Sequence, residues 1–169
     1  LTVGVTKGTV GAEAGYVLPI GSMMALDVGI QYLAGEGRIT HSNSNTAGSA
    51  GNVRFTVDDH VTYYIAPTIV LSETSSLYFK AGVSQADTGV TGDVTQPAQL
   101  SGVMYALGTR TVLSSGIFIR TEAGVTEYNG INARGKGGGT VGSDLIDAGT
   151  TFEAEPTIVH GSISLGFRF

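Results

Sequence analysis

The sequence predicts an all-β protein: a closed, antiparallel, up-and-down transmembrane β-barrel of eight strands that takes up residues 1–169 as a single domain. Three observations predict it. Apolar and polar residues alternate with period two through segment after segment, as in strands with one apolar and one polar face. Each full segment is long enough to cross a bilayer at a tilt, which takes about 9 to 11 residues. The connections alternate between tight turns and long polar loops, as in a meander threaded back and forth through a membrane.

Composition is consistent with this and removes several other classes. A length of 169 residues suits one domain, and the chain holds 26 glycines, 4 prolines, no Cys and no Trp. Hydrophobic residues make up 41% and the mean hydropathy is +0.19, yet no run of 18 apolar residues exists, so a transmembrane helix is excluded. Leu1 opens no basic and then apolar segment of the secretory type, so any such signal is expected to have been removed or not to be included in the sequence. Without Cys there is neither a disulfide framework nor a thiolate metal site. A net charge of −5 and the lack of any basic run argue against nucleic acid as a partner.

Taken in order, the first strand is residues 1–6, short by roughly four residues against a membrane strand, so the chain is expected to begin inside it. Val3 and Val5 have the opposite parity to Val10 and Ala12. A two-residue turn at Lys7 and Gly8 reconciles them by pairing Thr6 with Thr9, Val5 with Val10 and Val3 with Ala12. A β-bulge around Lys7 within one long strand is the competing reading. Residues 9–18 then set Val10, Ala12, Ala14, Tyr16 and Leu18 outward against Gly11, Glu13 and Gly15. Residues 23–35 set Leu26, Val28, Ile30 and Tyr32 against Asp27, Gly29 and Gln31. Residues 57–71 oppose Val61, Tyr63, Ile65, Pro67, Ile69 and Leu71 to His60, Thr62, Tyr64 and Thr68, and alternation from residue 52 predicts that this strand projects above the membrane. Residues 75–87 oppose Leu77, Phe79, Ala81 and Val83 to Tyr78, Lys80, Gly82 and Ser84. Residues 98–113 oppose Val103, Tyr105, Leu107 and Leu113 to Gly102, Met104, Gly108 and Arg110. Residues 116–128 oppose Ile117, Ile119, Ala123 and Val125 to Phe118, Arg120, Glu122 and Thr126. In the last strand, "TIVHGSISLGFRF", Val159, Ile163, Leu165, Phe167 and Phe169 alternate with His160, Ser162, Ser164 and Arg168.

"LPIGS", "SETSS" and "SSG" are the tight turns, the last with Gly116 at a left-handed position. Residues 36–56, 88–97 and 129–156 are the long loops. On these features the chain resembles the small eight-stranded outer-membrane barrels of Gram-negative bacteria, the OmpA and OmpX type, along essentially its whole length. Ile163, Leu165, Phe167 and Phe169 are similar to the C-terminal signal read by the outer-membrane assembly machinery, which the resemblance makes a partner. Outward Tyr16, Phe79, Phe167 and Phe169 near the short turns, with Tyr32 and Tyr63 toward the long loops, would form the two aromatic girdles, and the missing Trp is a departure. A soluble sandwich or lipocalin-like barrel would instead need a packed apolar interior, and the inward residues are Gly, Ser, Thr and charge.

An arginine on the lipid face near the midplane costs about 2 to 4 kcal/mol, so the charges are expected to face inward. The turn at 18–22 would set Glu13 beside Asp27, and the turn at 114–116 sets Arg110 beside Arg120. Like charges side by side destabilise a sheet unless compensated. The two pairs lie on opposite walls of an eight-stranded interior, which is just wide enough for side chains to fill. Glu13 and Asp27 are therefore expected to reach across to Arg110 and Arg120, with Lys80, Glu122 and Arg168 extending the network into a plug. A narrow ion-selective channel is the alternative reading of the same residues, since lumen charges also tune permeation.

Catalytic and metal chemistry find less support. His41 and Ser42 in "THSNSN" differ from the His-x-Ser-Asn arrangement of outer-membrane lipid A deacylases, and no third group orients the histidine. His60, His160 and Asp58 fall on one inward face in this reading, without established adjacency, and read as polar lining. "GKGGG" at 135–139 has neither the preceding strand nor the following helix of a phosphate loop. The long loops carry Glu36, Asp87, Asp93, Asp144, Asp147, Glu153 and Glu155 against Arg38, Arg54, Arg134 and Lys136. That acidic rim either bridges lipopolysaccharide phosphates through divalent cations or keeps the surface soluble, and the second reading is favoured. The expectation is a structural, surface-exposed protein of the outer membrane without catalysis, cofactor or metal, acting through its extracellular loops as scaffold, anchor or adhesin. Its partners would be membrane lipid and lipopolysaccharide, a surface protein or a second copy. A lipid A-modifying enzyme is the remaining alternative.

Overall fold

The computed structural model describes residues 6–44, 50–91, 95, 99–113, 116–134 and 151–167, and of residues 37–44, 50–55, 91, 131, 133 and 151–154 the backbone only. Among these residues the protein is all-β, with no α-helix. The strands are β1 (Val10–Pro19), β2 (Met24–Ala34), β3 (Gly37–Ser44), β4 (Ala50–Val70), β5 (Ser75–Thr91), β6 (Leu100–Val112), β7 (Ile117–Tyr128), β8 (Ile131–Arg134), β9 (Thr151–Ala154) and β10 (Thr157–Phe167). Seven of them run up and down in one antiparallel sheet, in the order β1-β2-β4-β5-β6-β7-β10, with β3 paired to the upper half of β4. The sheet curls into a half-barrel, so that side chains from β1 meet side chains from β5 and β7 across its concave face.

Three tight connections lie at one end. Ile20 N donates to Met24 O at 2.7 Å around Gly21, whose φ of +79° is open to glycine at no steric cost. Leu71 N donates to Ser75 O at 2.9 Å, and the Ser72 hydroxyl accepts from the amides of Thr74 and Ser75. Leu113 N donates to Ile117 O at 2.7 Å, with Gly116 at φ +78°. At the other end strand structure continues into segments expected as loops. β3 and the first residues of β4 lie within 36–56, and β8 pairs with β9 within 129–156. Thr95 ties the connection after β5 to that hairpin, its amide donating to Arg134 O at 2.8 Å.

The expected two-residue turn is corrected: the chain runs through residues 6–9 without turn or bend, so no hairpin forms at Lys7 and Gly8. Seven strands make up the meander among the described residues, and the expected first strand, residues 1–6, lies outside them apart from Thr6. A second correction concerns Asp58. The register between β4 and β5 shifts between Asp58 and Val61, around Asp59 at φ +47°. Asp58 therefore pairs with Asp87, at the convex side of β5, while His60 keeps its concave position.

Burial is inverted relative to a water-soluble sheet. Thr68, Lys80 and Ser84 are 0%, 0% and 1% exposed on the concave face, and Asp27, Thr62, Arg120, Glu122 and Thr126 are buried beside them. Tyr63, Ile65, Ile69, Phe79, Val83, Tyr105 and Leu107 are exposed on the convex face.

Glycines make room for the rings inside. Tyr64 pairs directly with Gly29, Tyr78 with Gly108, Tyr128 with Gly102 and Phe118 with Gly166. In each pair a Cβ built on the glycine would strike the opposite ring, as at Gly29, where it would lie 2.5 Å from the Tyr64 oxygen. The ring lies over bare backbone, and the interior closes around it. Gly108→Ala is expected to lower stability by about 1–3 kcal/mol, as overpacking does. Gly161→Ala, whose new methyl meets nothing nearer than 4.0 Å, is expected to stay within about 0.5 kcal/mol of the parent. Urea midpoints at constant slope read both.

Candidate functional site: a charge network on the concave face

Strand alternation puts every second residue on the concave face, and curvature brings distant strands within side-chain reach. Glu13 of β1 is the acceptor for three of them. Lys80 Nζ of β5 lies 3.0 Å from Glu13 Oε2, Tyr64 OH of β4 donates to Oε1 at 2.7 Å, and Arg120 Nη1 of β7 donates to the same oxygen. Lys80 is shared with Glu122 of β7, whose Oε2 is 2.6 Å away. Its ammonium sits 4.4 Å from the centre of the Tyr64 ring, a cation–π arrangement strengthened by the burial of Lys80. Tyr78 completes this middle layer. Its hydroxyl donates to Glu122 Oε2 at 3.0 Å, and the Arg120 guanidinium stacks 4.3 Å from its ring centre.

Closer to the tight turns, Arg110 Nη1 of β6 donates to Asp27 Oδ2 of β2 at 2.8 Å, and Thr68 Oγ1 donates to Asp27 Oδ1 at 3.4 Å. Toward the long loops the lining turns neutral. Thr62 and Ser84 share a hydroxyl hydrogen bond of 2.5 Å, and the Tyr128 hydroxyl meets His60 Nδ1 at 2.6 Å. His160 Nε2 of β10 faces Glu122 Oε1 at 3.5 Å.

On the concave face three carboxylates thus stand against three cations, as a linked group of Glu13, Lys80, Arg120 and Glu122 and a separate pair of Arg110 with Asp27. Arg110 and Arg120 are direct cross-strand neighbours, and each is neutralised by an acid from the opposite wall. The expected pairing of Glu13 with Asp27 is corrected. The turn between β1 and β2 sets Glu13 opposite Gln31 and Asp27 opposite Val17, so the two carboxylates sit in different layers. That separation lets each acid serve one arginine. Arg168 and Phe169 lie outside the described residues.

On the convex side, Tyr16, Phe79 and Phe167 toward the tight turns and Tyr32 and Tyr63 toward the long loops are all exposed, with Ile163 and Leu165 beside Phe167. Tyr105, not singled out from the sequence, stacks on Phe79 at 6.3 Å. The structural roles of Tyr64 and Tyr78 were also missed. Their signal was present, since each has inward parity opposite an inward glycine, but it depends on register. His41 and Ser42 belong to strand β3 rather than to a loop. Asp58, on the other face from His60, does not join the two histidines. "GKGGG" lies outside the described residues. Comparison of the chain with protein families, curated proteins and solved structures finds no match.

Chemically, the network holds its charges paired with opposite charges on the concave face. Lys80→Met leaves Glu13 and Glu122 with an uncompensated buried charge and is expected to cost about 3–5 kcal/mol. Adding Glu122→Gln should recover part of this, leaving a coupling of about 0.5–3 kcal/mol in a double-mutant cycle read from urea unfolding.

Proposed function

We propose that the curled sheet is the wall of a transmembrane β-barrel in the bacterial outer membrane, similar to the OmpA and OmpX type. In this reading it closes across the seam between β1 and β10, by an eighth strand laid antiparallel between the two edges. The observation that carries the proposal is the inverted burial: a fully buried lysine inside and a predominantly apolar face outside. A sheet of this pattern is at its lowest free energy where the convex face meets lipid, since exposed apolar area of this extent is rare on soluble monomers. Both seam edges lack guarding charges on the convex side, and Val159 and Ile163 next to the seam are 81% and 82% exposed, as edges awaiting a neighbour would be.

The interior then acts as a plug. With Lys80 inaccessible and each acid engaged by a base, the protein serves as a structural, surface-exposed element without catalysis. Its work is done by the long-loop side, where β4 and the β8–β9 hairpin stand above the membrane band as scaffold, anchor or adhesin. A narrow ion-selective channel is the second reading, favoured by the row of charges along the concave face. Unit conductance steps in planar bilayers separate the two, because the plug predicts none.

The chain has no Trp, which allows a single reporter. Leu107→Trp on the convex face is expected to be quenched strongly by brominated lipid after folding into vesicles, and Met104→Trp on the concave face only weakly. Equal quenching of the two, or a protein that stays monomeric and folded in water without lipid, would sink the membrane reading.

A further inference from the structure

The outward positions change character along each strand, and the change falls at a definable residue. On β5 the outward series runs Leu77, Phe79, Ala81 and Val83, and then Gln85 and Asp87. On β6 it runs up through Leu107 and Tyr105 to Val103, and then meets Ser101. On β7 it ends at Val125 before Glu127, and on β10 at Val159 before Thr157. Gln85, Asp87, Ser101, Glu127 and Thr157 are all exposed, so the polar side of the change faces outward as well.

On β4 the apolar series ends at Val61, and there the strand carries its bulge. The extra residue, Asp59 at φ +47°, resets parity, so that Asp58 and Thr56 follow outward while Val57 turns inward, where it is 3% exposed. Without that residue Val57 would prolong the outward apolar series. Tyr32 OH donates to Asp59 Oδ1 at 2.7 Å, so an outward ring ends on an exposed carboxylate at this level. Asp58 pairs with Asp87, and such a like-charge pair is least costly where water screens it.

The ladder gives the direction of the edge. Val61 pairs with Gln85, so the change comes two residues lower on β5 than on β4. Val83 pairs with Val103, and the edge stays level from β5 to β6. Val103 pairs with Glu127, which is a second step of two residues, and Val125 pairs with Val159. From β4 to β10 the edge therefore falls by about one residue per strand, or about 3.3 Å along the chain for about 4.8 Å across it. That slope is an angle of about 35°, within the tilt of about 35–45° that transmembrane barrel strands take.

We infer that contact with acyl chains ends on this oblique line, just beyond Val61, Val83, Val103, Val125 and Val159, and that Asp58, Gln85, Ser101, Glu127 and Thr157 lie among lipid headgroups and water. The inference rests on the membrane reading and deepens it by fixing where lipid contact stops. A boundary running straight across the ladder would put paired neighbours in one medium. The oblique line separates Val103 from Glu127 and Val61 from Gln85.

Single cysteines test it, because the chain contains none of its own. The full chain, folded into phosphatidylcholine vesicles with iodide on both sides, would carry Val61→Cys, Gln85→Cys, Val103→Cys, Glu127→Cys or Leu107→Cys. Each is labelled with nitrobenzoxadiazole, and all five positions are outward, so the label leaves the charge network untouched. Labels at Val61, Val103 and Leu107 should show blue-shifted emission, quenching by lipid-borne nitroxide and resistance to iodide. Labels at Gln85 and Glu127 should be red-shifted and open to iodide. The same medium at Val103 and Glu127, or at Val61 and Gln85, would overturn the oblique boundary while Leu107 still reports lipid. Iodide quenching at all five, Leu107 included, would overturn the membrane reading itself and the boundary with it.

Discussion

An ammonium group with no access to water must find its whole solvation inside the fold, and Lys80 shows how much structure that requires. It needs two carboxylates, from β1 and β7, and the ring of Tyr64 from β4. Those strands are brought within reach only if the sheet curls, and the curl has to be tight enough for Glu13 to touch Arg120 as well. Removing the cation from water costs several kcal/mol, and mutual attraction offsets that only when both acids are held in place. The curvature and the buried lysine therefore imply one another. A flatter sheet would separate the charges, and a neutral interior would leave the curl with much less to hold it.

The second requirement is space. Six charged side chains and four rings cannot share a narrow concavity with a full complement of β-carbons. Gly29, Gly102, Gly108 and Gly166 supply the missing volume opposite Tyr64, Tyr128, Tyr78 and Phe118. Glycine weakens a strand through its entropy, and here that cost is set against packing an aromatic ring onto backbone. The high glycine content follows in part from this geometry rather than from loops alone.

Much of the sheet was legible because period two is a local signal. Six of the predicted strands end within three residues of the observed limits at the tight-turn side, and the inward positions of Asp27, Lys80, Arg110, Arg120 and Glu122 follow from parity. What was not legible depends on register, a relation between strands. Glu13 was placed beside Asp27 because the length of the first turn was misjudged, and Asp58 was assigned to the wrong face because a bulge resets parity. The strand content of residues 37–44 was hidden by a run of Ser, Asn and Thr, which reads as a loop when no partner is known. β4 supplies that partner.

The glycine and aromatic pairs also bear on how the chain finds its alignment. Slipping β2 against β4 by two residues would keep every face correct, so hydrophobic pattern alone does not forbid it. It would, however, drive the Tyr64 ring onto Asp27 or Gln31 in place of Gly29. The same slip elsewhere would set Tyr78 against Ala106 or Arg110, and Tyr128 against Leu100 or Met104. Each ring thus fits at one alignment only, like a key cut for a single notch. A chain of repetitive alternating strands carries in these few positions the information that tells one alignment from the next.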